Sequence, residues 1–343
     1  MTPTPYSPPA WAGALSLRPR QRVRLAHLPT PIEGWSPPGL ADGARVWLLR
    51  DDLTGAALSG NKVRKLEFLL ADALAADCDM VLTCGGIQSN HARATAIAAR
   101  QLGLEPMLFL RTAQPDSDPG LVGNLLLDRL VGATLRLITP EQYRERDALM
   151  AEEAERLRAA GRRPYVIPEG GSNALGSWGY LQAVGECLDT QAFRQSEITD
   201  VVVAVGSGGT AAGLALGLHL AGHAAKVHAV NVCDDAAYFH ERIDTIFAEL
   251  GTTARSRDLL DIMEGHVGLG YALSRDEELR HIAGVARATG VVLDPVYSGK
   301  AYCGLMKEWR QNRNRFKGDR VLFVHTGGIF GLYEKEAQWQ ALL

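Results

Sequence analysis

Lys62 and Lys65 stand three residues apart in Leu58-Ser59-Gly60-Asn61-Lys62-Val63-Arg64-Lys65-Leu66-Glu67, where a glycine turn opens an apolar-periodic run. A second loop, Cys84-Gly85-Gly86-Ile87-Gln88-Ser89-Asn90-His91, follows a short apolar stretch. A lysine at a helix start can form an imine with an aldehyde-bearing cofactor, and can act as a general base once substrate displaces it. Lys65 lies on the same helical face and is placed to assist a phosphate. Most lysines are solvent-exposed, so Lys62 taken alone fits a surface position better. Ser89 and Asn90 offer a hydroxyl and an amide beside a helix start, suited to a carboxylate or a phenolic oxygen, and equally to plain N-capping. His91 could pair a carboxylate or simply pack.

A third loop, Val205-Gly206-Ser207-Gly208-Gly209-Thr210-Ala211-Ala212-Gly213, joins a valine strand to a helix of small residues. Its amides and the Ser207 and Thr210 hydroxyls can surround a phosphate where the helix dipole favours an anion. The lysine of a Walker A sequence is absent, and the loop is not placed as a dinucleotide fingerprint. Glycines flank Ser207 directly, so the spacing of a nucleophile elbow fails. His219 and His223 are four apart, but Leu220 stands where a zinc-protease helix needs glutamate; no metal site is expected.

The elements that must position these loops alternate along the chain. Strands are expected at 46–50, 80–84, 106–110, 134–138, 165–167, 201–205, 227–232, 291–293 and 321–324. Helices are expected over 63–76, 91–102, 124–130, 141–160 and 211–220. Valine-rich runs separated by helices predict an α/β fold with open, twisted parallel sheets covered on both faces. Glycine pairs at 85–86, 170–171, 208–209 and 327–328 follow four strands, which places one shared cleft beyond the C-terminal strand ends.

The 343 residues are enough for two lobes. Lys+Arg of 36 against Asp+Glu of 39 gives a formal charge of -3, with no basic stripe for nucleic acid or for an anionic membrane. Five cysteines without a CxxC pair read as reduced thiols of a cytoplasmic protein. The proline-rich start lacks the pattern of a signal peptide, and no apolar run is long enough to span a bilayer.

The blocks Gly60 to Glu67 and Gly85 to His91, with Asp294-Pro295-Val296-Tyr297-Ser298-Gly299-Lys300 and His325-Thr326-Gly327-Gly328, resemble the pyridoxal phosphate (PLP)-dependent family of D-cysteine desulfhydrases and 1-aminocyclopropane-1-carboxylate (ACC) deaminases. The resemblance runs from about Leu28 to Phe330. It implies fold type II, the tryptophan-synthase β-like fold. A large PLP-binding domain would comprise 1–62 and 179–343, and a small α/β domain 63–178. It also implies a homodimer, with the apolar arm of residues 8–31 packing across the partner.

By the same resemblance Lys62 carries PLP, Asn90 meets its phenolic oxygen, and Gly206, Ser207, Gly208, Gly209 and Thr210 hold the phosphate with Lys65 nearby. Thr326 faces the pyridine nitrogen. Gln88, Ser89, Asn90 and Ser298 face the substrate, and Tyr271 and Tyr297 are the two active-site tyrosines. ACC deaminases are similar to one another in carrying Tyr-Glu before Gly-Lys and His-Leu before Gly-Gly. Here the pairs are Tyr297-Ser298 and His325-Thr326, which favours the desulfhydrase branch. The expected reaction is α,β-elimination from D-cysteine to pyruvate, ammonia and hydrogen sulfide. L-Cysteate sulfo-elimination, ACC deamination and non-catalytic binding of PLP or an amino acid are the alternatives.

Overall fold

In the computed structural model, which describes residues 1–40 and 43–343, two parallel sheets lie with their C-terminal strand ends turned to a common cleft. The larger sheet runs Leu260–Met263, Lys226–Asn231, Asp200–Val205, Arg320–Val324, Arg45–Leu49, Ile32–Trp35, all parallel except the last, an antiparallel edge. The smaller sheet runs Thr134–Ile138, Glu105–Arg111, Met80–Gly86, Pro164–Val166 and is wholly parallel. Strands such as Val201 to Val205 are apolar at every position because helices cover both faces.

In each sheet the strand that feeds a glycine loop has the next strand of the chain on one side and a much later one on the other. Asp200–Val205 lies between Lys226–Asn231 and Arg320–Val324, and Met80–Gly86 lies between Glu105–Arg111 and Pro164–Val166. Loops diverge at such reversals and leave a crevice. The two crevices face each other.

Helix Lys62–Ala75 packs its apolar residues under the smaller sheet. Helix Ala174–Asp189 packs with the larger sheet and against the small-residue helix Gly209–Leu220. A Cβ on Gly213 would meet Tyr180 Cβ at 2.5 Å, and one on Gly179 would meet the Arg64 backbone at 2.6 Å, so glycine permits these close approaches. The expected cut between 178 and 179 falls inside the helix Ala174–Asp189; we propose a boundary near 172 instead.

Two expectations differ from the structure, and the N-terminal arm makes contacts within its own chain. The run 291–293 is not a strand: it leaves a left-handed Gly290 at the end of helix Asp276–Thr289 and buries Val291 and Leu293 without joining either sheet. The helix expected over 141–160 is two, Pro140–Arg144 and Arg146–Ala159, because a Thr139–Gln142 capping box starts one and Glu145 leaves helical geometry. The N-terminal arm packs on its own chain. Ala12 and Leu15 enter the larger core, Val23 and Leu25 the smaller, and Trp178 Nε1 donates to Leu17 O at 3.0 Å.

No helix among the described residues is long and apolar enough to cross a membrane, and no cluster of three or more His, Cys, Asp or Glu is arranged to hold a metal. All five cysteines are free thiols.

Candidate active site

Lys62 is the first residue of its helix and opens into the cleft. Gly60 sets this up with φ +112°, which lets its backbone pass where a Cβ would lie 2.8 Å from Thr326 O. Asn61 N then donates to Thr326 O at 3.1 Å, and Asn61 Nδ2 donates to Thr210 Oγ1 at 3.0 Å. Three separate loops are thereby pinned around Lys62. Among the described residues nothing hydrogen-bonds its Nζ, which sits 5.9 Å from the Tyr297 ring centroid. Burial pushes the amine down to about 8, with Glu169 and Asp294 pulling upward. An amine so shifted has roughly a tenth of its population neutral at pH 7, far more than an ordinary lysine, and that neutral fraction is the nucleophile or base.

Lys65, one turn on, is fully buried and differently engaged. Its Nζ donates to Gly170 O at 3.1 Å and Ser172 Oγ at 2.9 Å. Ser172 Oγ in turn lies 2.8 Å from Ser207 Oγ and accepts from Gly209 N at 3.2 Å. Lys65 therefore braces the glycine loop from behind, through Ser172, and does not line the pocket. Burial, with Lys62 adding to it, holds its amine well below the usual lysine range.

The pocket in front of Lys62 is lined by Gly206, Ser207, Gly208 and Thr210 at the start of helix Gly209–Leu220, with Asn90, Tyr297 and Thr326 around it. Gly208 takes φ +87°. A Cβ on Gly209 would fall 2.7 Å from Ser172 Oγ and 2.9 Å from Lys65 Nζ, so the cradle admits only hydrogen there. Asn124 Nδ2 donates to Asn90 Oδ1 at 3.1 Å. That bond fixes the Asn90 amide and leaves its NH2 free to donate toward an acceptor oxygen. These groups fit PLP: amides at a helix N-terminus for the phosphate, a primary amine for the aldehyde, an amide donor for the phenolic oxygen, and a hydroxyl at Thr326 for the ring nitrogen.

Beyond Lys62 the cleft widens into a cavity of about 520 Å³ that includes Ser89, Arg111, Tyr143, Glu169 and Tyr271. Ser89 Oγ accepts from Ala92 N at 3.1 Å as the cap of helix Asn90–Gln101, which leaves its own proton to donate into the cavity. Capping and ligand binding are compatible here. His91 packs inward against Thr83 Oγ1 at 2.8 Å, and burial followed by the two lysines keeps it neutral, well below the usual histidine range.

The Tyr271 and Tyr297 hydroxyls are 2.7 Å apart. Burial raises Tyr271 to about 12 and Tyr297 further above the usual phenol range. Both tyrosines thus keep their protons.

Two substrate-facing expectations land elsewhere. Gln88 turns away: Nε2 donates to Val122 O at 3.0 Å and Oε1 accepts from Asn124 N at 2.9 Å. Ser298 is fully buried, donating to Asp294 Oδ1 at 2.6 Å and accepting from Asp294 N at 2.9 Å. Neither side chain reaches the cleft.

Several residues were not singled out from sequence. Asp294 accepts from the amides of Val296, Tyr297 and Ser298 at 2.9, 2.9 and 2.7 Å, fixing Tyr297. Lys300 donates to Val267 O and Gly270 O, both at 2.7 Å, holding the loop that delivers Tyr271. Buried Arg93 donates to Ala57 O at 2.5 Å, Ser59 O at 3.1 Å and Asn124 Oδ1 at 3.1 Å, joining the Lys62 turn to the residue that orients Asn90. Asp294 and Lys300 belong to a block already noticed; their signal was a charge inside an apolar run. Glu169, paired with Tyr143 at 2.6 Å and Arg146 at 3.0 Å, carried none beyond its neighbouring glycines.

A family model described as pyridoxal-phosphate dependent enzyme matches residues 23–327. The mitochondrial bifunctional D-cysteine desulfhydrase/1-aminocyclopropane-1-carboxylate deaminase of Arabidopsis thaliana is 49% identical over 349 residues, covering 100% of this chain and 87% of that protein. A putative 1-aminocyclopropane-1-carboxylate deaminase of Thermotoga maritima is 40% identical over 316 residues, 91% of this chain and 97% of that one. The crystal structure of an ACC deaminase homologue superposes with TM-score 0.83 at 36% identity, covering 98% of this chain and 99% of the other. The chain belongs to the pyridoxal-phosphate-dependent enzymes, fold type II. Within them it is a lyase of the D-cysteine desulfhydrase and ACC deaminase group.

Proposed function

We propose that this lyase catalyses α,β-elimination from D-cysteine, giving pyruvate, ammonia and hydrogen sulfide. The observation that carries the reading is the acid-free cofactor pocket. Among its described lining residues no carboxylate occurs, and Thr326 offers a neutral hydroxyl that would meet the ring nitrogen. The buried Asp294 is saturated by backbone and Ser298 donors. A hydroxyl leaves a pyridine nitrogen less readily protonated than a carboxylate would, so less charge is drawn into the ring. That suffices where a sulfur anion can leave as soon as the α-proton is gone, whereas opening a cyclopropane demands more.

PLP, when bound, supplies the electron sink for the pair left at Cα. Lys62 Nζ holds the cofactor and then takes the Cα proton. Ser89 Oγ and the amides that open helix Asn90–Gln101 hold the substrate carboxylate. The Tyr271–Tyr297 pair carries the proton that meets the departing sulfur. Asn90 and the 206–210 loop fix the ring and phosphate.

A panel of D-cysteine, L-cysteine, L-cysteate, β-chloro-D-alanine and ACC, read for sulfide, sulfite and keto acid, tests the reading. Sulfide from D-cysteine is expected. ACC turnover without sulfide would sink it, and binding of every compound without keto acid would make the chain a non-catalytic binder. Lys62→Ala is expected to lose the absorbance band at roughly 410–420 nm and to lower elimination by roughly 10³-fold or more. A second reading, sulfo-elimination from L-cysteate, draws support from the arginines lining the outer cavity.

We also propose a cytoplasmic symmetric homodimer, supported by free cysteines and by an apolar groove that includes Leu121, Leu126, Tyr333 and Leu343. A monomer in sedimentation at micromolar concentration would refute the assembly.

A further inference from the structure

Three arginines line the cavity that Lys62 and Ser89 share, and they differ in what holds them. Arg146 is engaged by Glu169 at 3.0 Å and by Tyr143 O at 3.2 Å. Arg144 is exposed on a short helix. Arg111, half-buried at the end of strand Glu105–Arg111, is clamped between two aromatic rings: its guanidinium carbon lies 4.8 Å from the Tyr143 centroid and 5.3 Å from that of Tyr271. Among the described residues no hydrogen bond or ion pair engages that guanidinium. The rings fix its position and leave its N–H donors open.

The place is as telling as the clamp. Arg111 pairs in register with Gly86, three residues before Ser89, and a Cβ on Gly86 would lie 3.8 Å from the Tyr271 ring. Arg111 therefore stands on the wall between the Ser89 carboxylate seat and the tyrosine pair. The cavity lining as a whole carries Lys62 and three arginines against Glu169 and Asp234, and Glu169 is already paired.

We propose that Arg111 is the seat for an anionic sulfur substituent on the substrate's β-carbon, a thiolate or a sulfonate. The assignment rests on the elimination reading above and deepens it. As the Cα proton passes to Lys62 and the Cα=Cβ bond forms, the Cβ–S bond breaks with its electron pair on sulfur. A sulfonate then departs as sulfite beside a fixed cation, whereas a thiolate takes a proton from the Tyr271–Tyr297 pair as the bond breaks and departs as hydrosulfide. The three-membered ring of ACC has no such anion to offer, so Arg111 works as a specificity residue.

Calorimetric titration of the PLP-loaded enzyme with 3-sulfopropionate and with butyrate, which lacks the second anion, separates this from turnover. The wild type is expected to prefer 3-sulfopropionate by about 10-fold or more, Arg111→Met to bind the two equally, and Arg111→Lys to retain part of the preference. An undiminished preference in Arg111→Met overturns the assignment. In steady state, kcat/KM for the true substrate is expected to fall by roughly 10- to 100-fold in Arg111→Met, chiefly through KM. β-Chloro-D-alanine, neutral at its β-group when it binds, should change by less than about 3-fold in KM. Equal losses for both overturn the proposal. Sulfide from D-cysteine identifies the seated group as thiolate, and sulfite from L-cysteate as sulfonate. Absence of keto acid from every substrate would defeat the elimination reading, while the calorimetric preference would still decide the anion seat.

Discussion

The two walls of the cleft are made of different material. The floor from the larger sheet is glycine backbone and hydroxyls, Gly206 to Thr210 with Thr326. The wall from the smaller sheet is charged and aromatic side chains, Arg111, Tyr143 and Glu169 beside Ser89. Backbone amides at a helix start can recognise a phosphate, a group common to every turnover. Side chains from different strand ends can discriminate among substrates, whose β-substituents vary. On the proposed reading the floor would hold the cofactor and the wall would discriminate among substrates.

Breaking the contact between the walls should have the largest effect. Arg93 ties the Ala57–Ser59 turn that precedes Lys62 to Asn124, which orients Asn90, and its removal leaves Asp128, which burial already raises to about 7, without its cation. Arg93→Met is expected to lower unfolding free energy by about 3–5 kcal/mol in urea titration. A loss under about 1 kcal/mol would show the walls to be independent.

The floor comes next. Gly209→Val drives a side chain into Ser172 and Lys65, and PLP affinity in equilibrium dialysis should fall by about 100-fold, near 2.7 kcal/mol. An unchanged affinity would mean that the cradle lies elsewhere.

Lys62 sharpens the contrast through pH. Its folded-state pKa of about 8 lies below the ordinary lysine value of 10.5, so the unfolded chain binds more protons and apo-protein stability rises from pH 8 toward 10.5. Lys62→Met should accordingly stabilise the apo-protein near pH 7 by roughly 2 kcal/mol, seen as a raised Tm. PLP uptake by the wild-type apo-protein should speed up as pH rises toward 8, and a flat profile would contradict the shifted amine. The smallest effect expected is Ser89→Ala, about 1 kcal/mol of stability from the lost cap, with a raised substrate KM.

How far each wall was legible in the sequence follows from its material. A phosphate cradle needs glycines next to one another on one loop, so Gly206 to Thr210 and the Gly60 turn stand out in a linear reading. The same holds for Ser89, whose place just before a helix marks it as a cap. Arg111, Tyr143 and Glu169 converge from a strand end, a short helix and a loop after the fourth strand of the small sheet, and no spacing links them. Gln88 and Ser298 misled because adjacency to a functional residue is not orientation: Val122 O claims the Gln88 amide, and the carboxylate and backbone N–H of Asp294 claim the Ser298 hydroxyl. The 291–293 run has strand composition, but Val292 O accepts from His325 Nε2 at 3.1 Å, and no neighbouring strand is there to pair.

Lys62 also occupies a mechanical position. The chain passes between the sheets where its helix begins and again near 170–172, and Lys65, one turn along, is tied to Gly170 and Ser172. These crossings lie side by side and form a fulcrum. Any swing of the smaller sheet about that fulcrum would carry Ser89 and Arg111 through a wide arc while scarcely displacing Lys62. If Ser89 and Arg111 hold substrate as proposed, they would ride on the lever while Lys62 sat at its pivot.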